Sequence, residues 1–273
     1  QPFSYGTGIH IVFNGEVYNY MDIKKVLLTK GHTFKTTSDT EVICAAYLEY
    51  GEDCVKHFNG MFAFVIYDGR KQQFFGARDR LGQKPFYYYH SGTDFEFASQ
   101  LSAIKLGNTL LSTSSRAISN YMVWGYIPDP DSIFTEVKKL PPGHSFTYQL
   151  QSGIFKEKQY WDIDFKGQNH FQGTYEEAQE ELELLLTDAV QKRMIADVPL
   201  GIFLSGGIDS SLVAALANKN NTGKVKTFSV KFNTKSVDES RYAQEVANHL
   251  GTDHHTIECK YEEGLKIIEN FSY

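Results

Sequence analysis

Cysteine is scarce in this chain, with three residues in 273 and no Cys-x-x-Cys pair. A small odd number without metal-binding spacing argues against a disulfide framework or a zinc site, and it favours buried thiols in a reducing, cytoplasmic compartment. Basic runs are missing too: no Lys/Arg run exceeds two residues and the net charge is −6, which argues against nucleic acid as the main partner. No apolar run approaches membrane-spanning length and no signal peptide opens the chain, so neither membrane insertion nor export is predicted.

The first part of the chain, residues 1–164, is rich in Tyr and Phe and in short apolar or alternating segments. The pairs Asp68-Gly69 and Ser91-Gly92 fall between such segments and indicate hairpins. Helical patterns cover 21–30 and 39–50, and each is followed by a glycine, the usual helix stop. These features predict an α+β domain with layered antiparallel sheets.

The second part has a different pattern. Residues 165–173 are polar and glycine-bearing, which predicts a linker, and Thr174 with Glu177 predicts a capping box at the start of a long helix. Strands and helices then alternate: strand 198–204, helix 210–218, strand 225–232, helix 240–250, strand 254–258 and helix 261–270. This alternation predicts an α/β domain with a parallel sheet over 174–273, with ligands at the carboxyl ends of its strands.

The most informative segment is the octapeptide 204–211, LSGGIDSS, which lies between a predicted strand and a predicted helix. Glycines at such a turn let the backbone approach an anion, and the helix N-terminus completes a phosphate cradle. The segment is not a Walker A loop, because Gly207 stands where that motif has lysine, and it lacks the frame of a nucleophile elbow. Asp209 would repel phosphate unless a cation bridged them, so bound Mg²⁺ is predicted.

Several segments together resemble one family. SGGIDSS resembles the pyrophosphate-binding loop of enzymes that cleave ATP between the α and β phosphates to adenylate a substrate. Residues 13–19, FNGEVYN, resemble the N-G-E-[IV]-Y-N segment of class II glutamine amidotransferases, and 59–64 and 78–85 resemble that group's G-M-F-A-F and R-D-x-x-G-x-x-P markers. Over almost the whole chain the sequence resembles the glutamine-hydrolysing asparagine synthetases. That resemblance implies an N-terminal-nucleophile-hydrolase-like domain followed by a pyrophosphate-loop ATPase domain of the adenine-nucleotide-hydrolase type.

The resemblance also implies roles for residues of the first domain. Asn14 and Gly15 would form an oxyanion hole for the attacked carboxamide. Glu16 would contact the substrate glutamine, and Asp39 would bind its α-ammonium. From the residues alone, Asn14-Gly15 is more simply a structural turn after a strand, and Asp39 an acidic residue in a first helical turn.

For the second domain, the resemblance implies a set of ATP-binding residues: Leu204, Ser205, Gly206, Gly207, Asp209, Ser210 and Val230. Asp209 would reach Mg²⁺ through the bound pyrophosphate. Other polar groups are interpreted as structural: Arg78, Asp79 and Arg80 in an ion-paired turn before a strand begun by Pro85, Asp238 and Glu239 as helix caps, and the adjacent histidines 254 and 255, which point to opposite faces of a strand.

The nucleophile of class II amidotransferases is an N-terminal cysteine, whereas this chain starts with Gln1. Cys44 and Cys54 are interpreted as inert core thiols. We therefore expect an internal fragment that does not by itself hydrolyse glutamine. The cysteine would lie upstream, and the aspartate pocket would lie beyond Tyr273.

The implied activity is ATP-dependent synthesis of asparagine from aspartate and glutamine through a β-aspartyl-adenylate, with ammonia released by the first domain. Glutamine, aspartate, ATP and Mg²⁺ are the implied small molecules, and a homodimer is compatible with the resemblance. Two alternatives stay open. One is an amidotransferase of the same architecture with another acceptor, such as a β-lactam-forming or a glycan- or peptide-modifying enzyme. The other is a non-catalytic relative that binds ATP or glutamine.

Overall fold

The computed structural model describes the chain except for residues 108, 109, 166–170, 197, 220, 222, 235, 236, 261–264, 266, 267 and 269–273. It divides into two compact units, Gln1–Gly167 and Gln168–Tyr273, and each is described by itself. Most of the predicted linker and of the predicted helix 261–270 lies outside the described residues. None of the helices in the described part of the chain is long and apolar enough to cross a membrane.

The described part of the first unit contains nine strands, all paired antiparallel. They are β1 (Phe3–Tyr5), β2 (Ile9–Val17), β3 (Gly60–Asp68), β4 (Gln73–Arg78), β5 (Tyr87–Ser91), β6 (Asp94–Ala98), β7 (Val137–Lys139), β8 (His144–Gln149) and β9 (Phe155–Gln159). They form a six-stranded sheet in the order β1-β2-β3-β4-β8-β9 and a three-stranded sheet in the order β6-β5-β7. The predicted antiparallel sheets are thereby confirmed.

Helices of the first unit are α1 (Tyr20–Thr29), α2 (Asp39–Tyr50), a 3-10 helix (Gly51–His57), α3 (Leu101–Gly107) and α4 (Ser115–Trp124). One core cluster joins α1, α2 and the 3-10 helix to the six-stranded sheet. A second cluster, rich in aromatic side chains, fills the space between the two sheets. The unit is therefore layered, with helices, the six-stranded sheet and the three-stranded sheet in that order.

Local signals set several boundaries of the first unit. Gly31 and Gly51 follow α1 and α2 with φ of +91° and +62°, conformations that L side chains rarely adopt, which confirms both predicted helix stops. The predicted hairpins are also confirmed, because Asp68 pairs with Gln73 and Ser91 pairs with Asp94 across their turns.

The interpretation of Asn14-Gly15 as a turn is wrong. Strand β2 continues through both residues to Val17, and Gly15 lies opposite Phe62 of β3. A Cβ on Gly15 would lie 2.1 Å from the carbonyl oxygen of Met61, so only glycine lets the two backbones come this close. The glycine therefore serves a tight strand pairing, a use that the sequence cannot distinguish from a turn.

The interpretation of residues 78–80 as an ion-paired turn needs correction. Arg78 is buried, and its guanidinium pairs with Asp129, 51 residues away, at 3.0 Å. Asp79, which is also buried, accepts hydrogen bonds from the backbone N–H groups of four residues: Phe62, Leu81, Gln83 and Lys84. The side chains of Arg78 and Asp79 both stabilise the loop between β4 and β5, so their structural role is confirmed. Pro85 precedes β5 by two residues instead of starting it.

The second unit contains α5 (Tyr175–Arg193), β10 (Gly201–Phe203), α6 (Ile208–Lys219), β11 (Lys226–Phe232), α7 (Ser240–Leu250) and β12 (Asp253–Cys259). Its strands pair in parallel in the order β10-β11-β12, which confirms the predicted parallel sheet. The capping box is confirmed as well, because Thr174 and Glu177 each accept the other's backbone N–H. The predicted strand 198–204 was too long: β10 spans only Gly201–Phe203, although the N–H of Leu204 still donates to the carbonyl of Phe228 in β11.

Candidate functional site

Asn14 lies at the wall of a cavity between the two sheets of the first unit. Ile11 and Phe13 of the same strand point toward the helices, so the Asn14 side chain lies on the opposite face with Val12. There the Asn14 Nδ2 donates to the Oγ of Ser99 at 3.1 Å. Both residues line a cavity of about 280 Å³. A carboxamide donor thus lies at the surface of a space that can hold a small ligand.

The N–H and the carbonyl of Gly15 are directed away from β3. Phe62, the residue opposite, uses its N–H and its carbonyl oxygen on Asp79, at 3.1 and 2.7 Å. Gly15 and Phe62 therefore form a non-hydrogen-bonded antiparallel pair, and the Gly15 N–H is directed to the other edge of β2. On that edge the side chain of Gln1 bonds both the N–H and the carbonyl of Phe13, at 2.8 and 2.7 Å.

Asp39 lies next to this strand end. It is the first residue of α2, after the N-cap Ser38, and its Oδ2 accepts from the backbone N–H of Val17 at 3.0 Å. The contact joins the helix N-terminus to β2, one residue beyond the exposed Glu16. The structure therefore brings together the four residues that the sequence implicated in glutamine binding, at one end of β2. The interpretation of Asp39 as a residue of the first helical turn is also confirmed.

The loop before Asp39 is held by the buried carboxylate of Glu41. Its two oxygens accept from the N–H groups of Lys35 and Thr36 and from the Thr36 hydroxyl, at 2.7 to 3.1 Å. Burial alone would raise the pKa of Glu41, but these hydrogen bonds outweigh it and lower the pKa below that of an ordinary glutamate. The loop therefore depends on the charged form of Glu41.

We expect Glu41→Gln to destabilise the first unit by about 2 kcal/mol, because the loop donors lose a charged acceptor and face an amide NH₂ instead. Since the folded pKa of Glu41 is lowered, its stabilisation is complete above the ordinary glutamate pKa and is lost as the pH falls through the lowered value. Urea unfolding followed by tryptophan fluorescence measures this, because Trp124 and Trp161 both lie in the first unit. The exposed Glu52, changed to Gln, is the control; equal losses in both variants would contradict the prediction.

Neither Cys44 nor Cys54 lies in an environment that activates a thiolate. Cys44 and Cys54 are fully buried in the core beneath the six-stranded sheet. Burial and, secondarily, the charge of Glu41 raise the pKa of Cys44 to about 12, and burial raises the pKa of Cys54 as well. Cys259 lies in β12 of the second unit. The interpretation of Cys44 and Cys54 as core thiols is therefore confirmed.

In the second unit, the octapeptide comprises the short loop 204–207 after β10 and the first turn of α6. The Ser205 Oγ lies 3.0 Å from the Ser210 Oγ and accepts from the N–H of Gly207 at 3.2 Å. Gly206 has a φ of +84°, and a Cβ there would lie 2.5 Å from the backbone of Tyr242 in α7. The backbone conformation and the close packing both require glycine at this position. The loop leads directly into the first turn of α6, where Asp209 is exposed.

A cavity of about 350 Å³ opens at the carboxyl ends of β10 and β11. Four of the predicted ATP-binding residues line it: Leu204, Ser205, Ser210 and Val230. Gly206 and Gly207 of the loop and Asp209 of the first turn of α6 are adjacent to them in sequence but do not line the cavity. Sequence reasoning missed other lining residues, among them Phe232, Glu239 and Ser240. Phe232 continues the alternation of Val230 along β11, which could have indicated it.

Four polar residues of the second unit were interpreted as structural from the sequence, and three of them, His254, His255 and Asp238, make structural contacts. His254 is hydrogen-bonded to Thr227 and Ser229, whereas His255 stacks on Phe228, so the two rings lie on opposite faces of the sheet as predicted. Asp238 accepts from the N–H of Ser240 at the start of α7. Glu239 occupies the N-cap position but makes no side-chain cap bond, which corrects its interpretation as a cap.

Comparisons with known proteins agree with the two units. The glutamine amidotransferase domain family matches residues 1–161, and the asparagine synthase family matches residues 181–273. Residues 162–180 lie between the two matched regions.

Three relatives illustrate the match. A putative glutamine-hydrolysing asparagine synthetase 2 of Methanocaldococcus jannaschii is 38% identical over 97% of this chain and 51% of its own length. The glutamine-hydrolysing asparagine synthetase 1 of Bacillus subtilis is 37% identical over 93% and 39%. The amidase chyE of Penicillium rubens is 32% identical over 96% and 41%. The chain spans about half or less of the length of these relatives. With both family regions present in this order, the chain belongs to the family of glutamine-hydrolysing asparagine synthetases.

Proposed function

We propose that the whole protein makes asparagine from aspartate, ATP and glutamine, with an N-terminal-nucleophile-hydrolase-like first unit and a pyrophosphate-loop second unit. The observation that carries the proposal is that each unit has a cavity of its own, lined by one or more of the residues that the family resemblance implicates. Asn14 lines the first cavity, and Leu204, Ser205, Ser210 and Val230 line the second. Glutamine hydrolysis and adenylation need separate sites, because one reaction uses water and the other must exclude it.

In the first unit, a thiolate attacks the side-chain carboxamide of glutamine, and ammonia leaves before water releases glutamate. The Asn14 Nδ2–H and the Gly15 N–H donate to the oxyanion, and Asp39 binds the α-ammonium group beside Glu16. The buried, protonated thiols of Cys44 and Cys54 do not suit the nucleophile. Cys259 belongs to the second unit, so we assign the nucleophile to a cysteine outside residues 1–273.

In the second unit, ATP binds at the carboxyl ends of the parallel strands, with adenine against Leu204 and Val230 and phosphates at the loop and the α6 N-terminus. The aspartate side-chain carboxylate attacks the α phosphorus and pyrophosphate leaves. Ammonia then displaces AMP from the acyl-adenylate to give asparagine.

Magnesium fits this loop only together with the phosphates. The described residues contain no group of three or more His, Cys, Asp or Glu side chains that could hold a metal ion. Asp209 is the one carboxylate of the octapeptide, and Mg²⁺ often combines one or two carboxylates with substrate phosphates. When bound, the ion would neutralise charge on the leaving pyrophosphate.

A second candidate function is transfer of ammonia to a different carboxylate acceptor. It is supported by the 32% identity to a relative named an amidase. The proposed oxyanion donors and the proposed ATP-binding residues would have the same roles with either acceptor, because neither group of residues recognises the acceptor.

The test is to incubate the whole protein with ATP, aspartate and glutamine labelled with ¹⁵N in its amide. We expect labelled asparagine, glutamate, AMP and pyrophosphate in equal amounts, because each cycle consumes one glutamine and one ATP. Without aspartate, pyrophosphate should not form. Glutamate formation without pyrophosphate, whether or not aspartate is present, would favour another acceptor, and the absence of both products would contradict an enzymatic function.

A further inference from the structure

Ser99 lies where it can control the Asn14 amide. It follows β6 and precedes α3, and it is separated from Asn14 by 85 residues. Its hydroxyl nevertheless accepts from the Asn14 Nδ2 at 3.1 Å across the space between the two sheets. Both residues are half-buried and line the same cavity. The contact therefore links the second sheet to the wall of the proposed glutaminase site.

The backbone around Asn14 is already fixed. The Gln1 carboxamide bonds the N–H and the carbonyl of Phe13, and β3 pairs with β2 on the other side. Rotation of the Asn14 side chain is then the main freedom left to this donor. A flexible carboxamide would spend part of its time with Nδ2 turned away from an oxyanion, and catalysis gains from donors that need no reorganisation.

The Ser99 hydroxyl restricts this rotation. The Nδ2 group carries two hydrogens, and Ser99 accepts one of them. Among the described residues, no second acceptor is bonded to the Asn14 amide, so the other hydrogen is left for a ligand in the cavity. Because the two hydrogens lie about 120° apart in the amide plane, holding one fixes the direction of the other.

We propose that Ser99 is a positioning residue for the oxyanion donor Asn14: its hydroxyl holds the carboxamide so that the second Nδ2 hydrogen points to the reacting carbonyl. This inference rests on the proposed glutaminase function of the first unit. Ser99 itself does not contact the reacting atoms; it acts through Asn14.

The experiment compares variants of the whole protein by glutamate formation. We expect Ser99→Ala to lower kcat for glutamine hydrolysis by about tenfold, comparable to the loss of one hydrogen bond. KM for glutamine and ammonia-dependent asparagine formation should stay unchanged. Ser99→Thr keeps the hydroxyl and should restore most of kcat. Ser102→Ala, at an exposed position of α3, is the matched control and should behave as the unmodified protein.

The double variant decides between a positioning role and a general structural one. If Ser99 acts only through Asn14, adding Ser99→Ala to Asn14→Ala should lower kcat no further. A further tenfold loss, or an unchanged kcat in Ser99→Ala while Asn14→Ala is slow, would overturn the proposal and leave the function intact. An unchanged glutaminase rate in Asn14→Ala would instead overturn the oxyanion assignment on which the proposal depends.

Discussion

Replacing Asn14 by alanine should slow glutamine hydrolysis by the whole protein by roughly 100- to 1000-fold, the usual effect of removing one oxyanion donor. Its Nδ2 reaches into the cavity between the two sheets, so alanine removes the donor without filling the space. Asparagine synthesis from added ammonia should be unaffected, since that reaction does not pass through the oxyanion. Glutamate release and ammonia-dependent asparagine formation, measured on one preparation, test both statements.

Asn120→Ala is a suitable control for this variant. Asn120 is half-buried on α4, in the same unit, and does not line the cavity. It should keep both activities. If Asn14→Ala lost ammonia-dependent synthesis while it kept glutamine hydrolysis, the proposed assignment of the two reactions to the two units would be reversed.

Replacing Asp209 by alanine should abolish aspartate-dependent pyrophosphate release and leave glutamine hydrolysis intact. Asp209 is exposed in the first turn of α6, immediately before Ser210 at the cavity wall. A carboxylate at a helix N-terminus would repel phosphate unless a cation lay between them, so we expect it to bind Mg²⁺ with the pyrophosphate. Without it, charge on the leaving group is not neutralised. Assays of pyrophosphate release at varied Mg²⁺ concentration measure the effect.

The matched control for this variant is Asp188→Ala. Asp188 lies on α5 and pairs with Lys192 on the helix surface, an interaction of small energy. It should not change pyrophosphate release. Unchanged pyrophosphate release in Asp209→Ala would contradict the assignment of the octapeptide as a pyrophosphate loop. Loss of both pyrophosphate release and glutamine hydrolysis would indicate a folding defect and not an effect on the site.

The sequence patterns correctly predicted those features that depend on residues close to one another in the chain. The capping box of Thr174 and Glu177, the glycine stops of α1 and α2, and the alternation that gives the parallel sheet were all confirmed. Each is set by hydrogen bonds or periodicity over a few residues, so the local sequence contains the physical cause.

Predictions from the sequence were wrong where the same local pattern is compatible with two different structures. Asn-Gly is a favoured turn, yet Gly15 lies in a strand because the backbone of Met61 leaves no room for a Cβ. Arg78 and Asp79 are adjacent in sequence, which suggested a local ion pair, but Arg78 pairs with Asp129. In both cases a distant segment decided the outcome, and no pattern within the motif indicates which segment that is.

By itself, the sequence determined the order of the two units, the residue types of both sites and the reaction they suggest, because these follow from motifs of eight residues or fewer. Only the tertiary structure decided how those residues are held. Ser99 meets Asn14 across 85 residues, and Asp39 meets Val17 across 22. Such contacts arise from sheet pairing and layer packing, whose geometry depends on the whole unit and is therefore invisible in any short stretch of chain.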